Sequence, residues 1–146
     1  MRLLRFLKSI TEQQNNLSGW YNASTGHFLP LERGKDEEYH HLDLVFDNLK
    51  AFSMTPDDAR EVQDTTDLIA RLVGHGWVRV NDFDGTIHMD VGESSVKAAV
   101  QWASQVNRRI VLGIWKESGG SMWDIKEINL ETQQEIQQFL GQERAA

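Results

Sequence analysis

The residues with the clearest chemical capacity lie in one short run, Asp82-Phe83-Asp84-Gly85-Thr86-Ile87. A carboxylate can act as a nucleophile or as a general acid–base, and carboxylate oxygen suits a hard cation such as Mg²⁺. The run also extends into a calcium-loop pattern. Asp82, Asp84, Thr86, His88, Asp90 and Glu93 match the liganding positions of that loop, but Ile87 stands where its sharp turn needs glycine. The histidines are His27, His40, His41, His75 and His88. None forms a His-x3-His pair, and adjacent His40 and His41 diverge by about 100° on a helix, so they read as surface or half-buried imidazoles. With no cysteine in the chain, thiol catalysis, disulfides and cysteine-type metal sites are excluded. Gly119-Gly120 lacks the Lys-Ser/Thr of a phosphate loop and reads as a turn. Glu37-Glu38 and Asp57-Asp58 are paired acids at helix starts, where the helix dipole already accounts for them.

The elements around these residues decide between the readings. Trp77 to Asn81 and Thr86 to Val91 both alternate apolar and polar side chains. Period-two segments joined by Asp82-Phe-Asp-Gly85 predict a β-hairpin, with both aspartates in solvent at its tip. Trp20 to Leu29 predicts another hairpin, turning at Gly26 and limited by Pro30. Tyr39, Leu42, Val45, Phe46, Leu49 and Phe52 have helical spacing over about 36–52. Thr55-Pro56-Asp57-Asp58 carries an N-cap, a first-turn proline and first-turn acids. Asp64 to Val73 predicts a helix closed by Gly74. Further on, the pattern predicts a Ser94- or Ser95-capped helix to Val106, strands at Ile110–Trp115 and Met122–Ile125, and a helix from Asn129. At 146 residues this is one domain's worth of chain. The expected fold is α+β: a small antiparallel sheet of hairpins, covered on one face by the helices at 94–107 and 64–73. The five tryptophans read as core and rim packing.

The ends of the chain differ in charge. Residues 1–12 carry Arg2, Arg5 and Lys8 against Glu12, whereas the whole chain is at −7. Leu3, Phe6, Leu7 and Ile10 line one helical face, so 1–12 reads as an amphipathic helix, 13–19 as a polar linker and 20–146 as the domain. The charge balance argues against a nucleic-acid partner. No apolar run reaches membrane-spanning length, and Arg5 and Lys8 interrupt any secretory core.

Asp82 to Ile87 resembles the nucleophile motif of haloacid-dehalogenase-type phosphatases. That resemblance implies that Asp82 attacks phosphorus and Asp84 acts as general acid–base, both beside Mg²⁺, with a first parallel strand before the motif and a later lysine aimed at it. The alternating flanks favour the turn instead, and the Mg²⁺-dependent phosphohydrolase using Asp82 and Asp84 is the alternative reading. A second resemblance covers about half the chain. His41, Asn48 to Phe52, Thr55 to Asp58, Gly76-Trp-Val-Arg-Val80 and the helix from Ser94 or Ser95 follow the order seen in small uncharacterised proteins of contractile-tailed phages, including marine ones. The amino terminus is similar to the capsid-targeting segments of internal head proteins in such phages, on Arg2, Phe6 and Ile10-Thr11-Glu12. This implies cleavage by a prohead protease ahead of Gln13. The resulting expectation is a non-enzymatic, virion-associated or internal head protein that binds protein: head components, the prohead protease or another copy of itself. It would reside in the virion or host cytoplasm, with no cofactor and no metal. A small metal-binding or host-interaction module is the remaining alternative.

Overall fold

The computed structural model describes residues 17–31, 38–119 and 122–145. Their fold is α+β, built on one six-stranded mixed sheet in the order β2-β1-β3-β4-β5-β6. The strands are β1 (Gly19–Asn22), β2 (Phe28–Pro30), β3 (Trp77–Phe83), β4 (Thr86–Gly92), β5 (Arg109–Gly119) and β6 (Met122–Leu130). The helices are α1 (Glu38–Phe46), α2 (Pro56–Glu61), α3 (Thr65–Val73), α4 (Val96–Ala103) and α5 (Gln133–Ala145). The segment 1–12, with Ile10, Thr11, Glu12 and Gln13, lies outside the described residues. Leu17 and Ser18, taken from sequence as linker, are buried in the domain.

The sheet is larger than the expected small antiparallel one, and it is mixed. The β1–β2, β1–β3, β3–β4 and β5–β6 pairs are antiparallel, but β4 and β5 run parallel. The reason is the connection between them. Residues 93–108 hold α4 flanked by two single 3-10 turns, enough chain for the helical crossover that parallel strands require. Two of the expected boundaries also move. Asn129 pairs with Val111 inside β6, and the last helix begins at Gln133. Gly74 closes α3 in a right-handed conformation, and the positive φ, 90°, falls at Gly76.

Helices cover both faces, not one. Side chains alternate along β3: Val78 and Val80 enter one apolar cluster with α4 and α5, and Trp77 enters another with α3. The first cluster holds Ile87, Met89, Val91, Ile110 and Leu112 from the central strands. Tyr21 joins it, stacked on Trp102 at 4.9 Å between ring centroids, and burial raises the Tyr21 phenol pKa by disfavouring its anion. The second cluster gathers Trp20, Phe52, Trp77 and Trp115 with Leu68 and Leu72 of α3. Here Phe52 lies 4.3 Å from Trp77, and Trp20 packs edge-on to both Phe52 and His41. The Thr55 N-cap that the sequence predicts forms, and Asp58 completes it as a capping box: Thr55 Oγ1 accepts from the Asp58 N–H at 3.1 Å, and Asp58 Oδ2 accepts from the Thr55 N–H at 2.9 Å. The bond from the Thr55 N–H foremost, and then the Thr55 side chain, lower the Asp58 pKa by favouring its anion. No helix among the described residues is long and apolar enough to cross a membrane.

Candidate functional site

The Asp82–Ile87 run is a hairpin, as its alternation implies, but the turn is only Asp84-Gly85. Their φ angles of 52° and 74° are the pair of left-handed conformations that a two-residue type I′ turn needs. Asp84 is exposed there. Asp82 is not at the tip: it pairs with Ile87 as the sixth residue of β3 and faces the helix-covered side. Its side chain is only 6% exposed, and Oδ2 accepts from Arg108 Nη1 at 2.6 Å and from the Leu17 N–H at 3.0 Å. The Asp82 N–H donates to Ser18 Oγ at 2.9 Å. Asp82 therefore ties the start of the domain to β3 and to the strand-entry arginine before β5. Local sequence carries no sign of this, because the partners lie 65 and 26 residues away. β3 is antiparallel to both neighbours, so Asp82 does not end a parallel strand. Asp82 faces the helix-covered side, Asp84 is in the turn, Thr86, His88 and Asp90 face the open side and Glu93 lies in the 3-10 turn after β4, so the run does not wrap into a calcium loop. Among the described residues no three His, Asp or Glu groups approach closely enough to hold a metal ion. His41 is buried and hydrogen-bonds through Nε2 to Asn81 Oδ1 at 3.1 Å.

Among the described residues no helix covers the opposite side of the same hairpin near its turn. α1 and α3 cover the Trp77 end of that face, and the His41–Asn81 contact marks where the cover stops. Beyond it, a groove of about 360 Å³ crosses β3 to β6. Strand register sets its floor in rows. Arg79, Asp90, Gly113 and Glu127 stand side by side across four strands, with Asn81, His88, Val111 and Asn129 in the next row. Asp90 organises the first row. Its Oδ2 accepts from Arg79 Nε at 2.8 Å and its Oδ1 from Trp115 Nε1 at 3.0 Å. Gly113 leaves room for this: a Cβ there would stand 3.2 Å from Asp90 Oδ1 and 3.5 Å from Ile125 Cγ2. Two apolar side chains line the groove while facing solvent, Phe83 at 65% exposure and Ile125 at 53%. Glu127 is exposed and has no ion-pair partner among the described residues.

A second cleft, of about 420 Å³, lies beside Phe52, Met54, Asp58, Arg71, His75 and Trp77. Its charged groups serve the fold. Asp58 closes the α2 capping box, and Arg71 lies within 3.5 Å of Glu61 and 3.6 Å of Asp67. The open groove is therefore the candidate site. Sequence reasoning missed Phe83, Gly113, Ile125 and Glu127. One signal was present: Phe83 has the same strand parity as Arg79 and Asn81, so a large apolar side chain sits on the polar track.

No protein-family model, curated protein or solved structure matches this chain. The class that fold and site define is an α+β domain in which, among the described residues, helices seal one face of the sheet and leave half of the other open.

Proposed function

We propose that this chain is a non-enzymatic protein-binding component, and that the groove over β3–β6 receives a partner's polypeptide segment bearing apolar and basic side chains. The observation that carries this reading is the pair of exposed apolar walls, Phe83 and Ile125, on a floor whose central charges neutralise each other. Burying such side chains against a partner removes apolar area from water, and exposed apolar groups with a polar rim are how such surfaces are built. The Arg79–Asp90 pair leaves Glu127 as the groove's unneutralised charge, on a chain at −7 overall, so a cationic segment is favoured. The resemblance of the amino terminus to capsid-targeting segments supports a phage head or virion setting, with Ile10-Thr11-Glu12 as the processing signal ahead of Gln13.

Two experiments test the two parts. A synthetic peptide with the sequence of residues 2–10, Arg-Leu-Leu-Arg-Phe-Leu-Lys-Ser-Ile, serves as a basic amphipathic probe. Titrated into the ¹⁵N-labelled full chain, it should shift the amides of His88, Val111 and Gly113. Shifts confined to the other face, or none, would overturn the groove as the binding surface. Mass spectrometry of purified particles should find the protein with a terminus at Gln13, and its consistent absence from particles would remove the virion reading.

A further inference from the structure

The two edges of the sheet are built differently. β2 has three residues and includes Pro30, which has no N–H to offer a neighbouring strand; short edges and proline are the usual guards against pairing. β6 has nine residues, and among the described residues no strand pairs with its outer side. Asp124, Ile125, Lys126 and Glu127 are all exposed there. Exposed charges can also guard an edge, so the question is whether their order suits a partner.

We infer that β6 pairs antiparallel with β6 of a second copy of this chain, in the register that places Ile125 opposite Ile125 of the partner copy. Parity and charge select this register. In an antiparallel pair, facing residues lie on the same side of the sheet, so a two-fold pairing must centre on a residue. A centre at Asp124 sets aspartate against aspartate, one at Lys126 sets lysine against lysine, and one at Glu127 sets glutamate against glutamate. Of these four exposed residues only Ile125 as the centre avoids a facing like-charge pair and also sets opposite charges against each other. It places Asp124 opposite the partner copy's Lys126, and Lys126 opposite its Asp124, and buries the two exposed isoleucines against each other. Facing opposite charges and facing apolar side chains each favour strand pairing, and facing like charges oppose it. The interface is isologous, so it closes as a dimer and does not propagate into a fibre. It makes one continuous sheet of twelve strands (twice the six of each copy) and brings the two open grooves to adjoining positions about the two-fold axis. The pairing shares Ile125 with the groove, so in the dimer Phe83 is the apolar wall that stays free on each copy.

Sedimentation velocity of the full chain across a concentration series tests it. The wild type should reach a dimer at high micromolar concentration. Lys126→Asp places aspartate against aspartate twice and should weaken dimerisation by about tenfold or more. The double variant Asp124→Lys/Lys126→Asp restores opposite charges in the same register and should recover the dimer. A wild type that stays monomeric at every concentration overturns the inference. So does a double variant no better than Lys126→Asp, which contradicts the register. A dimer that Phe83→Ser dissociates and Lys126→Asp leaves intact would place the contact on the open face, and overturns it as well. A circular-dichroism melt of each variant confirms that the chain is folded when it is measured.

Discussion

The two faces of this sheet each carry an aspartate–arginine pair, and the pairs do different things. On the helix-covered face, Asp82 and Arg108 have side chains 6% and 20% exposed, and the same carboxylate also holds the Leu17 N–H. On the open face, Asp90 and Arg79 are 22% and 15% exposed, and the carboxylate also holds the Trp115 indole. The first joins three distant segments at the margin of a sealed core. The second joins neighbours within one sheet and makes a flat, neutral floor beneath exposed Phe83 and Ile125. Two similar pairs thus divide the labour, one toward holding the chain together and one toward presenting a surface.

This division can be broken one side at a time. The largest effect is expected at Asp82. Asp82→Ala leaves the Arg108 guanidinium and the Leu17 N–H without their acceptor, and breaking a largely buried pair costs about 3 kcal/mol. Urea unfolding monitored by tryptophan fluorescence measures it. The hairpin-tip expectation, in which even Asp82→Asn is nearly silent, would return if the loss were under about 0.5 kcal/mol. On the open face, Gly113→Val crowds Asp90 Oδ1 and should cost about 1–2 kcal/mol as the Asp90–Trp115 hydrogen bond is displaced. The indole Nε1–H resonance of Trp115 should move with it, and an unmoved resonance would contradict the packing at Gly113. A pH titration probes the sealed face again. The Tyr21 phenol has a raised pKa because burial disfavours its anion. Stability is therefore full below the ordinary phenol pKa and falls as pH rises above it, where the unfolded chain ionises first. Tyr21→Phe should flatten part of that alkaline decline in thermal melts. The smallest stability effect belongs to Phe83→Ser, within about 0.5 kcal/mol for a side chain so exposed.

What the sequence made legible was local. The Asp84-Gly85 turn, the Thr55 N-cap and the strand alternation at Trp77–Asn81 and Thr86–Val91 each depend on residues within a few positions of one another. The same locality explains the failures. The apolar run Ile110–Trp115 marks a buried strand but not the direction of its neighbour, so the parallel β4–β5 pair is not visible in it. Nor does a hairpin's turn signal tell how far its strands extend, which is why Asp82 was assigned to the tip. Its partners, Leu17 and Arg108, meet it only after the sheet assembles. The groove was hidden for a related reason. Phe83, Gly113, Ile125 and Glu127 come from three strands, and only the register of the finished sheet places them on one face. Asp82 and Asp84 have the spacing of a catalytic motif, but the fold gives them separate surroundings.

Asp82 and Phe83 are adjacent in β3 and point to opposite faces, so they offer the most direct test of the central claim. Stability and affinity for the peptide of residues 2–10 should be measured on Phe83→Ser in the full chain. The account predicts an unfolding midpoint close to wild type, with peptide affinity reduced at least about fivefold, since the substitution removes a large apolar contact from the interface. Unchanged affinity with an intact fold would contradict the assignment of the open face as the binding surface.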